Sequence, residues 1–243
     1  MTPQGKLSKL VVIFLGMTGL RLDLRSRHVS FVIWVALFIA GGLAYLFLTP
    51  ISKTAACVYA ALVWLLYYVG NAVVLCTPIR TWLIQRYGET RALRYYNTVL
   101  GLVFVQQGFS QGAFLSAFQG SLYDETGALR VLGLILIAGG VTVKTWATYT
   151  SGLDIYYYND MFLGRATRKV QTAIVSGPYK YFKNPMYGVG NAQAYGSALI
   201  AGTWQGLALC AFFNFSIYLF YWYFEKPFTI RTYFSQAEPA LSI

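Results

Sequence analysis

Residues 205–225 read QGLALCAFFNFSIYLFYWYFE, an apolar and aromatic run closed by a single carboxylate, Glu225. A helix needs about 20 such residues to cross the hydrocarbon core of a bilayer. Comparable runs occupy residues 29–49, 54–77, 96–118, 128–149 and 185–201. The chain of 243 residues is 57% hydrophobic and only 11% charged, whereas soluble domains carry about 25% charged residues. The expected fold is therefore all-α, a polytopic integral-membrane helical bundle with about six transmembrane helices.

Basic residues test that topology independently, because lysine and arginine in short loops tend to stay on the cytoplasmic side. Most of them fall in the N-terminal segment, the connections 78–94 and 150–184, and the C-terminal tail, while the alternate connections hold only Lys53 and Arg130. Both termini are then expected in the cytoplasm, with Lys144 left inside a span. The net charge of +11 follows from this asymmetry and from attraction to anionic lipid, so no nucleic-acid partner is implied. The apolar run 10–20 is short and is followed by a basic segment. It reads as interfacial rather than as a cleavable signal, and the first span serves as its own insertion signal. Cys57, Cys76 and Cys210 lie in spans without a Cys-x-x-Cys spacing and read as free, buried thiols.

Much chemistry is excluded by what is missing. The one histidine, His28, sits beside Arg25 and Arg27 and reads as an interfacial residue. Hydrolytic triads and multi-histidine metal sites need more imidazoles than this, so no metal is expected. Neither a phosphate-binding loop nor a dinucleotide glycine fingerprint is present.

The few acids carry more information, since an ionisable group at membrane depth costs roughly 2.5 to 3.5 kcal/mol on insertion scales. Asp154, Asp160 and Glu225 fall near span ends and can converge on one surface. On the last helix Asn214, Tyr218, Tyr221 and Glu225 share a face, readable either as an aromatic belt or as a polar seam able to hold a cation by its rings. Gln107 and Gln111, with the Gly108/Gly112 pair, read as close helix packing. Tyr156, Tyr157 and Tyr158 read equally as part of a functional surface or as interfacial anchors. The connection 150–184 carries Arg165, Arg168, Lys169, Lys180 and Lys183, a surface that attracts phosphate at headgroup depth. It ends in the aromatic, turn-forming stretch from Gly177 to Tyr187.

Asn184-Pro185-Met186-Tyr187 followed by Glu225-Lys226-Pro227-Phe228-Thr229 resembles the paired signature of the phosphatidylethanolamine N-methyltransferase family, whose second motif reads Glu-Glu-Pro-Phe-Thr. Asp160 and Phe162 match that family's Gly-Asp-Tyr-Phe-Gly segment, with Asn159 in place of the first glycine. Ala138-Gly139-Gly140 stands where the family has a Gly-x-Gly associated with the methyl donor, and lacks its first glycine. The wider superfamily includes the isoprenylcysteine carboxyl methyltransferases. The resemblance covers residues 130–234 and divides the chain into a basic interfacial segment (1–28), N-terminal transmembrane helices (29–127), a methyltransferase-like core with its cofactor loop (128–234) and a tail (235–243).

The resemblance implies transfer of a methyl group from S-adenosylmethionine to the amine of a phospholipid within the bilayer, on the cytoplasmic face. It implies donor contacts from Gly139, Gly140, Asn184, Pro185, Tyr187 and Glu225, catalytic roles for Glu225, Asp160 and Tyr187, and acceptor contacts from Lys180, Lys183, Arg165, Tyr179 and Tyr221. One departure stands out: Lys226 replaces the family's second glutamate. Alternatives are a carboxyl or other small-molecule methyltransferase of the same superfamily, a membrane reductase using a nicotinamide cofactor, and a non-enzymatic lipid-binding protein. The number of methyl groups added, the host membrane and the oligomeric state are not fixed by the sequence.

Overall fold

The computed structural model describes residues 3–21, 42, 50–122, 124–167 and 176–234. The expected first span, apart from Gly42, lies outside the described residues, as do Asp23, His28, Arg168, Lys169 and the C-terminal tail. Among the described residues every regular element is a helix: α1 (Pro3–Met17), α2 (Lys53–Cys76), α3 (Ile79–Tyr87), α4 (Glu89–Ala117), α5 (Ala128–Ser151), α6 (Ala192–Ile200) and α7 (Trp204–Tyr233), with short helical turns between α5 and α6. Three of these, α2, α5 and α7, are long and apolar enough to cross a bilayer.

Side chains at the helix starts satisfy amides that have no partner within the helix. The Ser52 hydroxyl accepts from Ala55 N at 3.2 Å and that of Thr203 accepts from Gly206 N at 3.1 Å. Asp124 does the same for α5, accepting from Leu129 N at 3.1 Å and Arg130 N at 3.3 Å. Near these starts the α4–α5 and α6–α7 turns are tied by Leu122 N donating to Gly202 O at 2.7 Å. The opposite ends meet too, since Ser151 of α5 and Glu225 of α7 line one cavity. The connection 78–94 and the segment 152–167 meet at that same end: Arg80 donates to the carbonyls of Met161 and Phe162 at 2.9 and 3.3 Å, and Arg165 pairs with Glu89 at 2.7 Å.

The fifth expected span differs from its apolar composition. Pro185 to Asn191 forms turns and a short 3-10 segment, and only Ala192–Ile200 is α-helical. Nine residues reach about 13 Å, under half the hydrocarbon thickness. What α6 lacks in length it makes up in closeness to α5. A Cβ built on Gly133 would lie 2.7 Å from Gly196 O, and one on Gly140 would lie 2.5 Å from Gln193 N. The glycines let the two backbones touch, as small residues do between membrane helices.

The core also absorbs residues expected at the surface. Ile13 of α1 is buried with Leu153 and Tyr157, so the N-terminal helix is docked into the bundle. Tyr157 donates to Gly16 O at 2.7 Å, and Tyr157 and Tyr158 are both buried. They are interior residues rather than interfacial anchors, because each hydroxyl finds a partner inside. Phe162 stacks on Tyr96 with centroids 4.6 Å apart, which fixes the 159–163 turn against α4. Of the three cysteines only Cys210 is buried; Cys57 and Cys76 face outward on α2, where the expected burial is contact with lipid.

Candidate active site

At the Glu225 end lies a cavity of about 360 Å³. Three separate stretches build it: the turn after α5, the proline corner before α6, and the end of α7. A wide π-helical turn at Tyr221–Glu225 interrupts α7, a feature that recurs at functional sites because it re-aims side chains. It brings Tyr221 and Glu225 onto the cavity wall, facing Asn184 and Tyr187 across it.

Glu225 is held by Tyr187, whose hydroxyl donates to Oε2 at 2.7 Å. Tyr158 lies 3.2 Å from Tyr187, and Tyr67 lies 3.2 Å from Tyr158, oxygen to oxygen. A phenol has one proton to donate. With that of Tyr187 committed to Glu225, Tyr158 must donate to Tyr187 and Tyr67 to Tyr158, so the three point along one line toward the carboxylate. Burial, reinforced by the neighbouring Tyr187 hydroxyl and the Glu225 charge, pushes the Tyr158 phenol well above its ordinary value, so it is a donor at neutral pH. Burial also lifts Tyr179, to about 12, with the Glu225 charge adding to the rise and a hydrogen bond to Ser151 opposing it.

The second carboxylate is differently placed. Asp160 is buried and accepts from Thr167 N at 3.2 Å, from the Thr167 hydroxyl, and from the hydroxyl of Tyr233. Its oxygens are occupied in tying the loop and the end of α7 together. Glu225, with one hydrogen bond, is the freer of the two. Asp154 does not join them: it pairs with Arg21 at 3.2 Å and accepts from Asn159 at 2.9 Å.

The cavity thus gathers Glu225, Asp160, Tyr187, Asn184, Tyr179, Tyr221 and Lys183. Pro185 is fully buried, and its carbonyl accepts from Gly190 N at 2.8 Å, closing the corner that aims Asn184 and Tyr187. Gly139 and Gly140 are not brought there, since they lie mid-helix on α5 and Gly140 is pressed against α6. Arg165 is an exposed partner of Glu89, and Lys180 is exposed beside the cavity rather than on its wall. Lys226, Met186 and Tyr233 also line it.

Carboxylates and ring faces in a confined space suit a cationic ligand, because the faces of tyrosine rings attract positive charge. The Tyr187 ring meets that of Tyr221 at 6.1 Å and that of Tyr218 at 6.5 Å, both edge to face. A sulfonium that also bears an ammonium and a carboxylate matches this lining, with the tyrosine rings for its cations and Lys183 or Lys226 for its anion, which leaves Glu225 for an acceptor. The residues present therefore fit such a methyl donor.

The sequence singles out Tyr158 only as one of an aromatic cluster and gives no sign of Tyr67; the two approach from the second turn after α5 and from α2. Sequence reasoning also passed over Asn191 and gave Lys144 no role. The available signal was Lys144 itself, a cation in the middle of an apolar run.

Residues 128–236 match the phospholipid methyltransferase family. The chain is 27% identical over 154 residues to a phosphatidylethanolamine N-methyltransferase of Meyerozyma guilliermondii, a match covering 63% of this chain and 17% of that one. It is 31% identical over 103 residues to the Saccharomyces cerevisiae protein of the same name, covering 42% of this chain and 11% of that one. To the one from Candida albicans it is 33% identical, with the same coverage. The chain spans less than a fifth of the length of these relatives. No solved structure gives a significant match. The matched segment contains α5, the proline corner and most of the cavity wall, and the family returned is the one that the paired motifs resemble.

Proposed function

We propose that this protein transfers a methyl group from S-adenosylmethionine to the amine of a phospholipid headgroup, at the cytoplasmic face of its membrane. The observation that carries the reading is the meeting of Asn184, Tyr187 and Glu225 in one cavity, inside the segment that matches the phospholipid methyltransferase family. The concentration of basic connections at the Glu225 end supports a cytoplasmic orientation for it.

The donor, when bound, supplies a methyl carbon attached to a positively charged sulfur that leaves as a neutral thioether. An alkylammonium has a pKa near 10.4 and no lone pair while charged. Glu225, the less encumbered carboxylate, takes that proton. The freed nitrogen lone pair forms the new N–C bond as the C–S bond breaks, and its electron pair departs with sulfur. Tyr187 fixes Glu225 by its hydrogen bond and presents a ring face to the cation beside it. Asp160 acts as a positioning residue through Thr167 and Tyr233. The cavity wall holds the reactants in line, which is most of what a displacement of this kind requires.

Lys226 on the cavity wall favours a second reading, methylation of a carboxylate acceptor, for which a cation in place of a second acid is the complementary charge. Purified full-length chain, labelled donor and a panel of phospholipid amines and apolar carboxylates separate the two. Label in the amine lipids supports the first reading; label confined to carboxylates overturns it in favour of the second.

A further inference from the structure

A second cavity, about 550 Å³, lies deeper in the bundle. Its polar lining comes from four helices: Gln107 and Gln111 on α4, Lys144 on α5, Gln193 on α6 and Asn214 on α7, together with Asn191 just before α6. Gln107 lines this cavity, while Gln111, on the same wall, donates to Ala194 O at 3.4 Å and to Cys210 Sγ at 3.5 Å and so ties α4 to α6 and α7, as the packing reading expects. A Cβ on Gly108 would meet nothing within 4 Å. Lys144 Nζ donates to Asn191 Oδ1 at 3.1 Å, and Asn191 Nδ2 donates to Asn214 Oδ1 at 3.0 Å. Among the described residues no carboxylate forms an ion pair with Lys144. A lysine ammonium has three protons, and one amide oxygen does not neutralise it. Charged groups at membrane depth are expensive unless paired.

Between the two cavities lies a neck of about 60 Å³, room for about two waters or an aminoethyl group. Lys144 and Asn191 line both neck and chamber, whereas Tyr158 and Tyr187 line both neck and the Glu225 cavity. The neck thus shares walls with both cavities, with a cation that no carboxylate among the described residues pairs with on one side and, past Tyr158 and Tyr187, a carboxylate that accepts protons on the other. In an ethanolamine lipid the anion and the amine are separated by two carbons, and the neck has the complementary charges on its two sides in that order.

We propose that the chamber is the subsite for the phosphodiester of the acceptor lipid, with Lys144 Nζ as its cation, so that the headgroup reaches Glu225 through the neck while the methyl donor occupies the outer cavity. This rests on the methyltransferase reading for the direction of the headgroup, and not for the phosphate site itself. The Asn191–Asn214 amide pair holds Lys144 in place, and Gln107, also on the chamber wall, offers an amide proton to a remaining phosphate oxygen. Lys183 and Lys226, at the outer cavity, are left for the donor's carboxylate.

The test uses the full chain in phospholipid nanodiscs, wild type beside Lys144→Met and Lys144→Arg, with two acceptors: phosphatidylethanolamine and a phosphate-free long-chain alkylamine. Lys144→Met should shift the ratio of the two KM values by about tenfold or more against phosphatidylethanolamine, the loss expected for one charge-assisted hydrogen bond. Lys144→Arg should restore part of it, and affinity for S-adenosylhomocysteine should stay at the wild-type value. An unchanged KM ratio, or equal losses with both acceptors, overturns the proposal.

Retention of each lipid through native mass spectrometry gives a reading independent of catalysis. If wild type methylates neither acceptor, the proposed function fails. The phosphate site then still stands on selective loss of phosphatidylethanolamine from Lys144→Met, and falls if retention is equal. Displacement of bound lipid by millimolar inorganic phosphate would indicate a free-anion site and would also overturn the proposal.

Discussion

The outer cavity and the deep chamber share helices α5 and α7 yet differ in character. The outer one sets the carboxylates Glu225 and Asp160 beside Lys183, Lys226 and tyrosines, whereas the deep one has Lys144 as its one charged lining residue, among amides. Glu225 stands at the end of its apolar run, whereas Lys144 sits within one, so the two charges are separated in depth as well as in sign. A single ligand with a cation at one end and an anion near it could engage both; two unrelated ligands would not need the neck. The difference suggests that charge order across the neck, more than the identity of any one residue, selects the acceptor.

The contrast can be broken most severely at Glu225. Glu225→Gln keeps shape and removes the proton acceptor, so kcat should fall by about 10²- to 10⁴-fold, the usual range for general base catalysis. S-adenosylhomocysteine binding, followed by calorimetry, should change far less. Next in size is packing. Gly140→Leu forces a side chain between α5 and α6, and overpacking of this kind costs about 1 to 3 kcal/mol. Thermal unfolding should register that loss, and donor affinity per folded molecule should be retained. Weakened donor binding in a variant of unchanged stability would instead restore the donor contact that the resemblance implied for Gly140.

Smaller effects sharpen the comparison. Tyr187→Phe removes the hydrogen bond to Glu225 and leaves the ring, so turnover should fall about tenfold, in keeping with about 1 to 2 kcal/mol for a bond to a charged group. Asp160→Asn keeps the geometry around Thr167 and Tyr233 but weakens it, and should raise protease sensitivity of the loop more than it lowers kcat. At the bottom of the scale, Arg165→Ala should leave both acceptor KM values unchanged, because its exposed pair with Glu89 stands apart from the cavity and such surface pairs contribute little.

What was legible in the sequence tracks how local each signal is. Asn184, Pro185 and Tyr187 are neighbours in the chain, and Glu225 ends an apolar run, so both halves of the outer site stand out by themselves. The chamber does not, because it takes one or two polar residues from each of four helices, and none makes a pattern alone. The expected span at 185–201 failed for a physical reason: hydropathy counts apolar residues and ignores that the Pro185 corner and Gly188 to Gly190 hold the backbone in turns until Ala192. The tyrosines 156–158 stay ambiguous in the sequence for a related reason. Their hydroxyls bond to partners as distant in sequence as Gly16, and no local window contains such a partner.

The most direct test of the central claim, that the proline corner and Glu225 form one methyl-transfer site, is single-turnover transfer of labelled methyl from S-adenosylmethionine to phosphatidylethanolamine, comparing wild type with Glu225→Gln at saturating donor. The account predicts label in the lipid for wild type and a rate at least about 10²-fold lower for the variant, with donor still bound. Equal rates in the two proteins would contradict it.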